Sequence, residues 1–324
     1  VSALGALPGG REDGAATGAT GTTAAPDPKS STDPDLGAAT LLVLGAGKMG
    51  LGIAELAVSR GHTVQVVEPD PASARRARER LTAASPGGTA GRARVVGGLA
   101  ACIPADMVLE AVPEDPVLKA EILRMAERLV ADGGVLATNT SSLAVTEMAA
   151  ALDQPERFCG MHFFQPVPTT PLLEVIRTPQ TSDAAVATAS AWARHLGKTE
   201  IRCADSPGFA TSRLGVAIGL EAMRMAEEGI ATPEDIDTGM ELGYRHGVGP
   251  LRMSDMVGLD VRLAIAEHLA ATLGPRFEPP RILRDMVLAG HLGEKTGQGF
   301  FRWPHTHDSP TRAALTSEGG RPHD

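Results

Sequence analysis

The sequence predicts an α/β fold, a doubly wound sheet followed by an all-α C-terminal domain, on three observations. Short apolar runs alternate with amphipathic stretches between Thr40 and Cys203, the order that builds a parallel sheet covered by helices on both faces. The first run leads directly into Gly45-Ala46-Gly47-Lys48-Met49-Gly50. Beyond Cys203 the apolar residues take helical spacing alone.

Thr40–Leu44 is a continuous apolar run of the kind buried on both faces in a parallel sheet. A helix is expected over about 49–59, then a turn at Gly61-His62 and a second strand, Thr63–Val67, ending at Glu68. Strand, Gly-x-Gly-x-x-Gly, helix, strand and acid together make the Rossmann-type dinucleotide-binding unit. In it Gly45 makes the tight turn, Gly47 lets the backbone approach a pyrophosphate, and Gly50 lets helix and strand pack closely. Lys48 and Met49 lie in the same turn, at the positive end of the helix dipole. Glu68 favours NAD, because a carboxylate there accepts from a ribose 2′-OH and repels a 2′-phosphate. Residues 94–96, 107–111 and 135–139 read as further strands, and 117–130 as a helix burying Leu118, Ile122, Met125 and Leu129. A helix over about 72–83 carries Arg75, Arg76, Arg78 and Arg80, read as a solvated face.

Two strand-like runs then flank a Pro-rich turn and place His162 and Glu174 twelve residues apart. A histidine titrates near neutral pH and can accept a proton during a reaction. A carboxylate beside it fixes the tautomer and stabilises the imidazolium. The all-α part is expected to hold helices over 206–228, after Thr232-Pro233, over 261–273 and over 280–288, with Met223 and Met225 as packing residues.

Composition narrows the classes. The chain has 324 residues, 43% hydrophobic and 21% charged, as in soluble globular proteins. A net charge of −9 without a basic stripe argues against nucleic acid. No apolar run approaches the ~20 residues of a membrane span. Cys102, Cys159 and Cys203 have no metal-ligand spacing, so no metal is expected, and reduced thiols suit a cytoplasmic location. Residues 1–39 and 304–324 are too poor in large apolar side chains to repay ordering and read as disordered tails. The expected domains are 40–203, binding NAD and carrying His162 and Glu174, and 204–303, helical.

With these residues in place, the chain resembles the 3-hydroxyacyl-CoA dehydrogenase family over about 40–303. The matching motifs are Gly45 to Gly50, Glu114 with Lys119, Thr138-Asn139-Thr140-Ser141-Ser142-Leu143, and His162 with Glu174. Further matches are Asp205-Ser206-Pro207-Gly208-Phe209, Asp255 to Asp260 and Glu294 to Phe300. The resemblance implies NAD-dependent oxidation of a 3-hydroxyacyl thioester to the 3-oxoacyl thioester. His162 would be the general base and Glu174 its orienting partner. Ser141 would hydrogen-bond the reacting oxygen, or cap a helix starting near Leu143, and Asn139 would line the nicotinamide side. Glu114 and Lys119 would border the cofactor, or be a helix-start acid and a surface lysine. Lys295 is read as a structural or surface charge. The resemblance also implies a homodimer through the helical domain.

Three departures bear on the substrate. Gln165 and Ser212 stand where the family has asparagine, and residues 69–93, with a Gly-rich connection at Pro86-Gly87-Gly88, replace a longer Lys-bearing hairpin. The acyl group could therefore ride on CoA or on a carrier protein. A non-catalytic NAD-binding sensor or structural protein is the alternative from another class.

Overall fold

The computed structural model describes residues 36–84 and 92–304. The tail expectations for 1–35 and 305–324, and the Pro86-Gly87-Gly88 connection, lie outside these residues. Leu36 and Ala39, assigned above to the first tail, pack against the core.

Eight strands form one sheet: β1 Thr40–Leu44, β2 Thr63–Val67, β3 Ala93–Val96, β4 Ala105–Glu110, β5 Val130–Thr138, β6 Phe158–Phe163, β7 Leu172–Arg177 and β8 Thr199–Ala204. Their order is β3-β2-β1-β4-β5-β6-β7-β8. The first six run parallel, β7 turns back antiparallel to β6, and β8 runs parallel to β7. Side chains alternate across a strand, and both faces of β1 are buried. Leu41 and Val43 pack with α1 Lys48–Ser59, α2 Pro71–Ala84 and α5 Asp183–His195. Leu42 and Leu44 pack on the other side with α3 Pro116–Ala126 and α4 Val145–Ala149. The chain reverses its progress across the sheet between β1 and β4, and in such folds ligands bind at that crevice, beyond the carboxyl ends of the strands.

Among the described residues, helices follow β8, with isolated bridges only at Gly293–Gln298 and Gln298–Arg302: α6 Thr211–Glu227, α7 Pro233–Thr238, α8 Pro250–Val257, α9 Leu259–Leu273 and α10 Arg281–Leu288. They enclose their own core around Val216, Leu220, Met223, Leu251, Leu259 and Leu283, with Met225 against it. Thr232 caps α7 through the Asp235 N–H, with proline following, as its sequence suggests. Lys295 forms a surface ion pair with Asp260.

Two expectations are corrected. The 117–130 helix ends at Ala126, passes through a 3-10 turn, and buries Lys119, Leu123 and Ala126. Leu118 and Met125 are exposed, while Ile122 and Leu129 are partly buried. A lysine occupies the inward stripe because a buried acid meets it there, so counting apolar residues selects the wrong face. The 206–228 helix starts at Thr211; Ser206 to Phe209 form a turn in which Gly208 and Phe209 adopt φ of 74° and 46°.

Asp255 ties the end of the helical part together. It is fully buried and accepts from the Phe300 and Phe301 N–H groups at 3.0 and 2.9 Å and from the Trp303 indole at 2.9 Å. Removing the carboxylate orphans all three donors. Asp255→Ala is expected to cost about 3 kcal/mol or more, seen as a lower thermal midpoint by Trp fluorescence; an unchanged midpoint would contradict this.

Candidate active site

The β6–β7 hairpin sets His162 directly opposite Glu174. Cross-strand partners share a face of the sheet, so their side chains meet. His162 Nδ1 lies 2.7 Å from Glu174 Oε2, with both residues buried. Glu174 Oε1 accepts from the Ala210 and Thr211 N–H groups at 3.2 and 2.9 Å, and Oε2 accepts from the Thr211 hydroxyl at 3.0 Å. These are the leading groups of α6, whose own N-cap side chain makes no capping bond. A strand carboxylate thus caps a helix, where the dipole favours negative charge.

Burial alone would raise the Glu174 pKa. The hydrogen bond from His162 and those from the Thr211 N–H and hydroxyl outweigh it and hold the carboxyl below its ordinary value. An ionised Glu174 accepts from Nδ1–H and leaves Nε2 as the nitrogen available to a ligand. The Phe164 ring packs 4.4 Å from the imidazole, centroid to centroid.

His162 borders a cleft of about 410 Å³ with Met49, Asn139, Ser141, Phe164 and Gln165. Glu114 and Lys119 also line it. Residues from four separate segments converge here, beyond the carboxyl ends of β1, β4, β5 and β6. Asn139 Oδ1 accepts from the Phe163 N–H at 2.9 Å, which turns its NH₂ away from that strand. Ser141 is exposed in the cleft and its N–H donates to Glu114 at 3.1 Å. It caps no helix: Thr140 accepts from the Leu143 N–H, and α4 begins at Val145.

Lys119 is not a surface lysine. It is 1% exposed and its ammonium meets Glu110 at 2.7 Å, Glu114 at 3.2 Å and the Val112 carbonyl at 3.3 Å. Glu110, at the end of β4, also accepts from the Val112 N–H at 2.7 Å and the Thr138 hydroxyl at 2.6 Å. For Glu114, burial raises the pKa but hydrogen bonds from Thr140 and the charge of Lys119 bring it below the ordinary value. This network fixes the β4 loop against the β5 loop. Glu110 carries no signal in the sequence beyond ending an apolar strand, Thr138 none beyond heading a matching motif, and Thr211, inside the helix expected from 206, none at all.

The Gly-rich turn fits a dinucleotide. Gly45 has φ 101°, and a Cβ there would lie 2.8 Å from the Ala111 carbonyl oxygen. At Gly50 a Cβ would lie 2.2 Å from the Gly45 oxygen, so α1 could not pack on β1. Gly47 faces open space at the N-terminus of the 12-residue α1. Glu68 ends β2 beside this turn, accepting from the Ala46 N–H at 3.1 Å and the Asp70 N–H at 3.0 Å. Lys48 is exposed on the rim, and Ser212, on the first turn of α6, is not among the residues lining the cleft.

Residues 40–206 match the model of the 3-hydroxyacyl-CoA dehydrogenase NAD-binding domain, and 208–303 that of the 3-hydroxyacyl-CoA dehydrogenase C-terminal domain. The chain is 42% identical to a 3-hydroxybutyryl-CoA dehydrogenase of Mycobacterium tuberculosis over 277 residues, 81% of this chain and 97% of that one. It is 36% identical to the mitochondrial hydroxyacyl-coenzyme A dehydrogenase of Mus musculus, over 81% of this chain and 90% of the other. The crystal structure of (S)-3-hydroxybutyryl-CoA dehydrogenase from Ralstonia eutropha superposes with a TM-score of 0.76 at 37% identity, covering 82% and 99% of the two chains.

The depressed Glu174 pKa has a stability consequence. An acid whose folded pKa lies below its unfolded one stabilises the fold above the unfolded value, and that contribution is lost as pH falls through the folded value. Urea midpoints of the wild type should exceed those of Glu174→Gln at neutral pH. The gap should close as pH drops below the ordinary carboxylate range. A gap that stays constant or widens in acid would contradict this.

Proposed function

The chain belongs to the 3-hydroxyacyl-CoA dehydrogenase family of NAD-dependent oxidoreductases acting on CH–OH, and from that premise we propose that His162 is the general base of the oxidation, with Glu174 as its orienting partner. The observation that carries this reading is the buried 2.7 Å contact between His162 Nδ1 and Glu174, at the wall of the cleft that the Gly-rich turn also serves.

The substrate is a 3-hydroxyacyl thioester, taken as the CoA ester because the relatives matched over most of the chain are CoA dehydrogenases. Of the arginines on α2, Arg80 pairs with Glu55, Arg76 meets Ser73 and Arg78 meets the Val95 carbonyl, which supports their reading as a solvated face. Bound NAD supplies the acceptor for the hydride that leaves C3. His162 Nε2 takes the 3-hydroxyl proton, and the imidazolium so formed is stabilised by the carboxylate already on Nδ1. The Ser141 hydroxyl and the Gln165 amide hold the reacting oxygen. Ser212, one residue past the Glu174 contact on α6, is proposed at the substrate side. Asn139 presents its NH₂ to the nicotinamide side, and Glu114, Lys119 and Met49 border it. Gly47 and the start of α1, with Lys48 beside them, would receive the pyrophosphate in a turn that Gly45 and Gly50 shape, and Glu68 would receive the adenosine ribose.

A homodimer through the helical part is part of the proposal. Leu214, Ile218, Leu242, Tyr244 and Met256 are exposed there, apolar side chains that such a contact would cover. Among the described residues, no helix is long and apolar enough to cross a membrane.

His162→Asn should lower kcat for 3-hydroxybutyryl-CoA about 10²- to 10⁴-fold while NADH still binds by fluorescence titration. Undiminished turnover would rule out the general-base role.

A further inference from the structure

Lys198 is a buried cation that holds backbone rather than an acid. Among the described residues three lysine or arginine side chains are buried: Lys119, Lys198 and, on α9, Arg262. Lys119 has its acid in Glu110. Lys198 stands just before β8, 7% exposed, and its ammonium donates to the Val167 carbonyl and, at 2.6 Å, to the Thr170 carbonyl. Burial and the nearby Arg60 charge both hold its pKa below the ordinary lysine value. A methionine of similar length would fill the site without that cost, so packing does not account for the ammonium.

The two carbonyls belong to the connection between β6 and β7. Phe164 and Gln165, at its start, line the cleft, and the Phe164 ring packs on the His162 imidazole. Gln165 is exposed, so the backbone beneath it decides where its amide stands. That backbone turns at Pro166, whose carbonyl accepts from the Thr169 and Thr170 N–H groups at 3.2 and 2.9 Å. From Phe164 to Pro171 only Val167 is buried. Its side chain sits against Gly52 of α1, where a Cβ would lie 3.2 Å from the Val167 Cβ. Lys198 holds the same residue by its carbonyl and closes on the end of the turn at Thr170. The turn thus has two anchors, Gly52 for the Val167 side chain and Lys198 for the backbone. Lys198 is not among the residues lining the cleft, so its influence on a reaction there passes through the turn.

We propose that Lys198 is a positioning residue for the substrate: its two bonds to the turn fix the Gln165 amide on the reacting oxygen. This rests on the dehydrogenase reading and adds to it what holds Gln165 in place.

Lys198→Met should lower kcat/KM for 3-hydroxybutyryl-CoA about 10-fold, the scale of a sub-ångström misplacement, with the Kd for NADH by fluorescence titration unchanged. Lys198→Gln, which keeps two N–H donors without the charge, should recover part of the loss. Gln165→Ala should cost at least as much, and in that background Lys198→Met should cost nothing further, because the two act as a unit. A purely structural lysine would multiply the two losses, and that result would overturn the proposal. So would full activity in Lys198→Met or in Gln165→Ala. Gly52→Ala, which presses on Val167, carries the test if Lys198→Met does not fold: its smaller loss should also vanish beside Gln165→Ala, and a loss that persists would overturn the proposal. Amide hydrogen exchange reads the anchor without turnover. The Thr169 and Thr170 N–H groups should exchange about 10-fold faster in Lys198→Met or Lys198→Gln, with the β6 amides at the wild-type rate. Unchanged turn amides would overturn the proposal whatever the activity. If the wild type oxidises no 3-hydroxyacyl-CoA, the dehydrogenase reading fails and takes the substrate role with it, while faster turn exchange would show that the anchor itself stands.

Discussion

The carboxylate of Glu174 joins three parts of the molecule at one point. It sits on β7, opposite the His162 of β6, and receives the first N–H groups of α6. Each partner needs a negative charge: the imidazole to hold its proton on Nδ1, the helix to satisfy its open donors and positive dipole end. Burial works against that charge, and the hydrogen bonds reverse the balance. The same bonds dock the helical part on the sheet beside the cleft. Orientation of the His162 imidazole and placement of α6 are thus one interaction.

Another part of the cleft lining is set by a second buried ion pair. Lys119 reaches from α3 under the β4 loop to Glu110, and its ammonium also steadies Glu114, which in turn holds the Ser141 N–H. Removing one partner of such a pair leaves an uncompensated buried charge. The loops that carry Glu114 and Ser141 are therefore fixed before any ligand arrives, which is the preorganisation that positioning catalysis requires.

The nucleotide half was legible because its chemistry is local. Gly45, Gly47, Gly50 and Glu68 lie within one strand–helix–strand unit, and their roles follow from turn geometry and spacing. His162 and Glu174 were legible because a short antiparallel connection makes residues twelve apart cross-strand partners. The buried charges were illegible for one reason. Lys119, Glu110 and Arg262 are charges in inward-facing rows, and a periodicity count assigns charges to solvent. The Thr211 contact depends on where α6 begins, and the Ser206 to Phe209 turn displaces that start by five residues from the expected 206. Ser141 reads equally as a cap until α4 is seen to begin at Val145, beyond its reach.

The most direct test of the central interaction is the tautomer of His162 in the resting protein, read from ¹⁵N–¹H long-range correlations on ¹⁵N-histidine-labelled protein at a pH where the ring is neutral. A Glu174 carboxylate on Nδ1 predicts the Nδ1–H form, with Nε2 showing the shift of an unprotonated ring nitrogen. An Nε2–H tautomer would mean that Glu174 does not hold the Nδ1 proton, and the account of the base built on it would be contradicted.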